Sequence, residues 1–92
     1  VIRSFRCRET EALARGDRVN RFVNIEAAAR RKLRQLEVAT RLDDLRVPPG
    51  NRLQPLKGRR TGQFSIRIND QWRVCFRWAS DGAHDVEIVD YH

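Results

Sequence analysis

No stretch of this sequence is apolar enough, for long enough, to cross a bilayer as a helix. Charged residues occupy 34% of its 92 positions and break up every hydrophobic run, whereas a spanning helix needs about 20 apolar residues in succession. The opening Val1-Ile2-Arg3-Ser4-Phe5 also lacks the apolar stretch and small-residue cleavage site of an export signal, so a cytoplasmic protein with no membrane partner is expected. Cysteine is scarce. Cys7 and Cys75 stand far apart with no CxxC or CxxH spacing, which gives no metal site, and in a reducing compartment both read as small packing residues. No metal and no cofactor is expected. Repeats, low-complexity tracts and linkers are missing too, and the length suits one domain over residues 1–92.

Lysine is equally scarce. All but Lys32 and Lys57 of the 19 basic residues are arginine. Arginine grips phosphate through a rigid planar fork and stacks on bases, although a GC-rich coding sequence would yield the same ratio. The net charge is +7, and its distribution says more than its total. Between residues 52 and 77 lie Arg52, Lys57, Arg59, Arg60, Arg67, Arg73 and Arg77, against Asp70 alone. Residues 78–92 carry Asp81, Asp85, Glu87 and Asp90 and neither Lys nor Arg. A basic block of this density suits a polyanion partner, either nucleic acid or an acidic protein.

The hydrophobic pattern changes period along the chain. Residues 1–6 read as a first strand, and Glu9 to Arg15 as a short helix stopped by Gly16. Phe22, Ile25, Ala29, Leu33, Leu36 and Leu42 form one apolar stripe, which predicts a helix over 21–43 with Asn20 as its N-cap. Val47-Pro48-Pro49-Gly50 ends the helical half. Beyond it the period becomes two. Phe64, Ile66 and Ile68 alternate with Ser65, Arg67 and Asn69, and Trp72, Val74, Phe76 and Trp78 alternate with Arg73, Cys75 and Arg77. Asn69-Asp70-Gln71 and Ser80-Asp81-Gly82 read as turns, and residues 84–91 as a last strand.

The order β-α-α-β-β-β predicts an α+β fold, a small antiparallel-dominated sheet with two helices packed on one face and the other face open. Arg67, Arg73 and Arg77 then share the open face, either as an anion platform or as a solvated polar surface. Like charges on neighbouring strands repel, which favours the platform.

Two further features carry chemistry. Leu56-Lys57-Gly58, followed by Arg59, Arg60 and Gly62, is a basic turn that lets phosphate approach backbone, though it is no Walker motif. Asp90-Tyr91-His92 follows directly on an apolar strand that would anchor it. A carboxylate and arginines pull the pKa of His92 in opposite directions, which suits a proton donor or acceptor near neutral pH. His84 reads as a surface strand residue.

These segments resemble the HigB branch of the RelE/ParE toxin superfamily. The likeness runs from Ile2-Arg3-Ser4-Phe5 through Leu56-Lys57-Gly58, Gly62, Ser65-Ile66-Arg67-Ile68-Asn69 and Gln71-Trp72-Arg73 to Val89-Asp90-Tyr91-His92, essentially the whole chain. Gln-Trp-Arg combined with the closing Asp-Tyr-His is the specific part.

The resemblance implies a toxin that cleaves messenger RNA in the 30S ribosomal A site. It also implies a HigA-type helix-turn-helix antitoxin and a toxin–antitoxin complex on operator DNA, with an acidic or mixed antitoxin segment neutralising part of the basic surface. The implied residues for catalysis and RNA contact are Lys57, Arg73, Asp90, Tyr91 and His92, with Arg67 and Gln71 as further RNA contacts; the basic turn and the arginine face add Gln54, Arg59, Arg60 and Arg77 as candidate RNA-binding residues. Several relatives have a catalytic histidine where this chain has Gln54. Since Gln54 is neither acid nor base, another group covers that step or the enzyme is differently tuned.

The implied chemistry is attack of the substrate's 2′-hydroxyl on the adjacent phosphate, which DNA cannot undergo. His92 would move protons, Arg73 and Lys57 would stabilise the phosphate charge, Asp90 would orient His92 or act as base, and Tyr91 would stack on a base or hydrogen-bond the phosphate. The competing expectations are a ParE-like DNA gyrase poison and a non-catalytic RNA- or ribosome-binding protein.

Overall fold

Two helices and a four-stranded antiparallel sheet in the order β1-β2-β3-β4 make up the computed structural model, which describes residues 1–91. Helix α1 spans Arg8–Ala14 and α2 spans Glu26–Val38; the strands are β1 (Gln54–Pro55), β2 (Gln63–Arg67), β3 (Trp72–Ala79) and β4 (Gly82–Asp90). The expected α+β class and the helices on one face are present.

Alanine and the unbranched side chains of residues 27–37 favour α2, and its Ala29, Leu33 and Leu36 are buried at helical spacing. The helix is shorter than the stripe over 21–43 predicts. Residues Asn20–Ile25 form a 3₁₀ turn entered from Val19, so Asn20 is inside the turn and not its cap. At the other end Asp44 Oδ2 accepts hydrogen bonds from the backbone N–H of Thr40 (3.0 Å) and Arg41 (3.1 Å) and from Thr40 Oγ1 (3.1 Å). Those amides are thereby withdrawn from the helix, Ala39 turns extended, and Leu42–Arg46 forms a separate 3₁₀ turn.

Period-two alternation holds in the sheet. Ile66, Val74, Phe76, Val86 and Ile88 face the helices and pack with Leu13, Phe22, Leu33 and Leu36 in one core. The Phe22 ring meets Trp72 edge-on at 5.6 Å, locking the 3₁₀ turn to the start of β3. Asn69 Oδ1 accepts from the N–H of both Gln71 (2.9 Å) and Trp72 (2.8 Å), which closes the β2–β3 turn with a side chain in place of backbone.

The N-terminal segment is not a full strand. It runs parallel to β4 and bridges it at Ile2–Ala83 and Phe5–Val86. Between these points a bulge shifts the β3–β4 register between Cys75 and Arg77, and Asp85 there takes a φ of 54°. Ser4 Oγ fills the gap by accepting from the Asp85 N–H at 2.9 Å. Gly82 is required for this docking, because a Cβ on it would lie 2.1 Å from the Val1 carbonyl oxygen.

The outer face is less open than expected. Ser65 and Cys75 have no exposed surface and Arg73 retains 8%. The cause is that long side chains lie across the face: Arg60 reaches Glu87, the cross-strand neighbour of Cys75, while Arg73 bends over Ser65.

Past Arg6 the edge of β4 is completed by a side chain. The fully buried Thr10 of α1 accepts the Ile88 N–H through its Oγ1 at 3.0 Å. Thr10→Val keeps the shape and removes the acceptor, stranding a buried donor. A loss of about 1–3 kcal/mol in unfolding free energy is expected, with Thr10→Ser losing less; urea melts that place Val and Ser at equal stability would contradict this role.

Candidate functional site

The outer face is organised by strand register. Arg67 of β2 pairs with Arg73 of β3, which pairs with Val89 of β4; one row along, Ser65 lies opposite Cys75 and Cys75 opposite Glu87. Gln54 of β1 lies opposite Ser65. Arg73 and Arg77 share the face but stand four residues apart, about 13 Å along the strand.

Arg73 is the best-held cation of the face. Its Nε donates to Ser65 Oγ at 2.7 Å and its Nη2 to the Arg52 carbonyl at 2.8 Å. Arg52 presents that carbonyl from a left-handed conformation, φ 47°, after the 3₁₀ turn Pro49–Asn51. The Tyr91 ring lies 5.7 Å from the guanidinium carbon, within cation–π range. No described carboxylate forms an ion pair with Arg73. Burial lowers its pKa, and Arg67 and Arg52 push the same way, while Cys75 and Tyr91 oppose the shift. The group remains charged at any ordinary pH. A desolvated, oriented guanidinium without a counter-charge is a site for an anion.

The other expected residues divide into three groups. Arg67 sits beside Arg73 and pairs with Asp70 in its own turn. Gln71 donates through Nε2 to Asp90 Oδ2 at 3.1 Å, tying the β2–β3 turn to the end of β4. Asp90 pairs in register with Trp72, so it belongs to the helix-side row, whereas Tyr91 reaches Arg73.

Arg77 and Arg60 are already neutralised. Arg77 Nε donates to Asp85 Oδ2 at 2.7 Å, and Arg60 Nη1 to Glu87 Oε1 at 2.9 Å. The pairing with Arg77 holds Asp85 below the usual carboxylate range. Lys57 and Arg59 are exposed around the 3₁₀ turn Gly58–Arg60 and form no ion pair among the described residues. Gln54 is half-buried on β1. His92 lies outside the described residues.

His84 is half-buried and its Nε2 meets Asp81 Oδ1 at 2.7 Å, so it closes the β3–β4 turn. Cys75 is enclosed, and burial above all raises its pKa, which keeps it a neutral thiol and a packing residue, as the sequence reading has it.

Sequence reasoning missed three contributors: Ser65 and Arg52, which orient Arg73, and Lys32, whose ammonium donates to Asn51 Oδ1 at 2.6 Å. Ser65 was visible as the cross-strand neighbour of the Arg73 strand. Arg52 acts through a carbonyl, and no side-chain pattern reports that.

A groove of about 730 Å³ lies elsewhere, between α1, α2 and the N-terminal segment, and is lined by Phe5, Leu33, Arg31 and Arg34 among others. It shares no residue with the Arg73 cluster. Extended polyanions bind along open charged surfaces, so the cluster outweighs the concavity as the candidate site.

Comparison with known proteins gives the family of the chain. A family profile described as "RelE-like toxin of type II toxin-antitoxin system HigB" matches residues 11–92. The chain is 39% identical over 90 residues to Toxin HigB-1 of Vibrio cholerae, covering 96% of this chain and 94% of that one. It is 33% identical over 61 residues to Endoribonuclease HigB of Proteus vulgaris, covering 66% of this chain and 65% of the relative. With the α+β layout in view, these matches show that the chain belongs to the HigB-like family of RelE-like toxins of type II toxin–antitoxin systems.

Proposed function

We propose that this protein is an endoribonuclease that cleaves messenger RNA on the ribosome, with Arg73 as the phosphate-stabilising group. The observation that carries the proposal is the buried guanidinium of Arg73, fixed by Ser65 and Arg52 and lacking a described carboxylate partner. A relative is named an endoribonuclease, and the family is one of type II toxins.

The proposed reaction needs no redox step. The 2′-oxygen attacks the adjacent phosphorus as its proton leaves to a base. The bond to the 5′-oxygen breaks, that oxygen takes a proton from an acid, and a 2′,3′-cyclic phosphate and a 5′-hydroxyl remain. Arg73, already oriented, meets the growing negative charge without reorganising. Lys57, exposed on its loop, adds a second cation. Tyr91 packs one side of the guanidinium and offers a ring to a base. His92 exchanges the protons, with Asp90 orienting it or acting as the base; Gln54, Arg59, Gln71 and Arg67 contact the strand. Arg60 and Arg77 contribute less to RNA binding because Glu87 and Asp85 already hold them. The wider setting follows from the same reading: the 30S A site supplies the mRNA, a HigA-type antitoxin restrains the toxin, and their complex sits on operator DNA.

Translation-coupled mRNA cleavage tests this directly. Wild type is expected to cut, and His92→Ala to lose cutting. Arg73→Ala should fall by about 100-fold or more, while Arg30→Ala on α2 stays near wild type. Gyrase-linked DNA breaks without RNA cutting, or salt-sensitive RNA binding without cutting, would overturn the reading.

Ser65 gives a finer test. Ser65→Ala removes the acceptor at Arg73 Nε but keeps the charge, so kcat should drop by about 10-fold with KM little changed, matching a lost hydrogen bond to a charged group. A change confined to KM would mean that Ser65 does not position Arg73 for the reaction.

A further inference from the structure

The loop at Asn51-Arg52 holds two cations at once. Arg73 donates to the Arg52 carbonyl at 2.8 Å, and Lys32 of α2 donates to the Asn51 side-chain oxygen at 2.6 Å. Asn51 is fully buried and well anchored. Its Nδ2 donates to Gln35 Oε1 at 2.8 Å and to the Leu45 carbonyl at 3.1 Å, and its backbone N–H to the Pro48 carbonyl at 3.0 Å. The Lys32 ammonium is therefore fixed in place, although its stem is only half-buried. Arg67 stands beside Arg73 in the strand register, and its charge acts on Lys32 as well. Burial lowers the pKa of Lys32, and Arg31 and Arg67 lower it further.

Lys32 and Arg73 thus share the Asn51-Arg52 loop, with Arg67 next to Arg73 on the neighbouring strand, and Asp70, paired with Arg67, supplies an acid there. The Asp70 side chain is 99% exposed, so water screens it strongly. Fixing like charges together costs free energy unless an anion joins them. One phosphate at Arg73 leaves Lys32 unanswered. A second phosphate of the same strand would answer it.

We propose that Lys32, held by Asn51, forms with Arg67 a second phosphate subsite that binds the RNA backbone beside the phosphate at Arg73. The subsite rests on the ribonuclease reading for the identity of its polyanion. It extends the contact surface from the sheet around to α2, a helix to which neither spacing nor the family resemblance assigns a role. Lys32 binds and aligns the strand there; the reacting groups lie at Arg73.

Fluorescence anisotropy with the full chain and a labelled 2′-O-methyl RNA decamer, which cannot be cut, tests the subsite across a salt series. Lys32→Gln keeps a donor for Asn51 and removes the charge. It should bind about 5-fold more weakly, with a log–log salt slope shallower by about 0.7, the value for one single-strand phosphate contact. Lys32→Arg should recover most of the affinity. Arg34→Gln removes one charge from the same helix at the remote groove and should stay within about 2-fold of wild type, with an unchanged slope. Asp70→Asn, at a fully solvated position that cannot threaten folding, should tighten binding by about 2-fold or more.

Equal behaviour of Lys32→Gln and Arg34→Gln overturns the subsite, as does a wild type that fails to bind the decamer, or an Asp70→Asn protein that binds no tighter. The two readings separate cleanly. A Lys32-dependent slope in a protein that leaves translated mRNA intact supports the subsite and overturns the ribonuclease. Cutting of mRNA together with a Lys32-independent slope does the reverse.

Discussion

A guanidinium buried in the wall of a sheet, without a described carboxylate opposite, is the constraint around which the rest of this molecule is arranged. Placing Arg73 there requires acceptors that satisfy its donors without cancelling its charge. A serine hydroxyl and a peptide carbonyl meet that requirement, and a carboxylate would not. The carbonyl in turn requires the backbone at Arg52 to adopt a left-handed conformation, and the turn before it is held by the buried Asn51. Features that look like loop irregularity thus belong to the electrostatics of the face.

The same need explains why the sheet face is divided. At one end Arg60 and Arg77 are matched to Glu87 and Asp85, and the β4 bulge accompanies the second match. At the other end Arg73 and Arg67 stand in one row with Tyr91 close by. Two acids of residues 78–92, Asp85 and Glu87, answer one half of the arginines, so the face is not uniformly positive. The division separates the arginines that carboxylates already hold from Arg73, which no described carboxylate pairs.

Much of this was legible in the sequence. Period-two alternation assigned Ile66, Val74, Phe76 and Ile88 to the core and Arg73 to the opposite face, because every side chain on a strand has only two directions open to it. The Asn69 turn was legible because an asparagine side chain closes turns locally. The end of α2 was not: Leu42 continues the apolar stripe, and the carboxylate of Asp44 overrides it by taking two backbone amides. The N-terminal strand was legible as extended chain, but its broken parallel pairing depends on a bulge some eighty residues away. At the site, residue types pointed to Arg73, Tyr91 and Arg67. The neutralisation of Arg60 and Arg77, and the parts played by Arg52, Ser65 and Lys32, depend on cross-strand geometry and on backbone groups that carry no side-chain signature.

The half whose two arginines are both paired, and the half where Asp70 answers Arg67 and leaves the charge of Arg73 over, together have a consequence for encounter rather than for binding. The two halves then differ by the one charge of Arg73, and the field over the face is uneven along the sheet. An unevenly charged face near a charged rod feels a torque as well as a pull, and the torque acts over the Debye length, before any atoms touch. A charged rod that met the Arg77 end first would be turned toward the Arg73 end. Part of the selection among docking poses would then take place in the surrounding water.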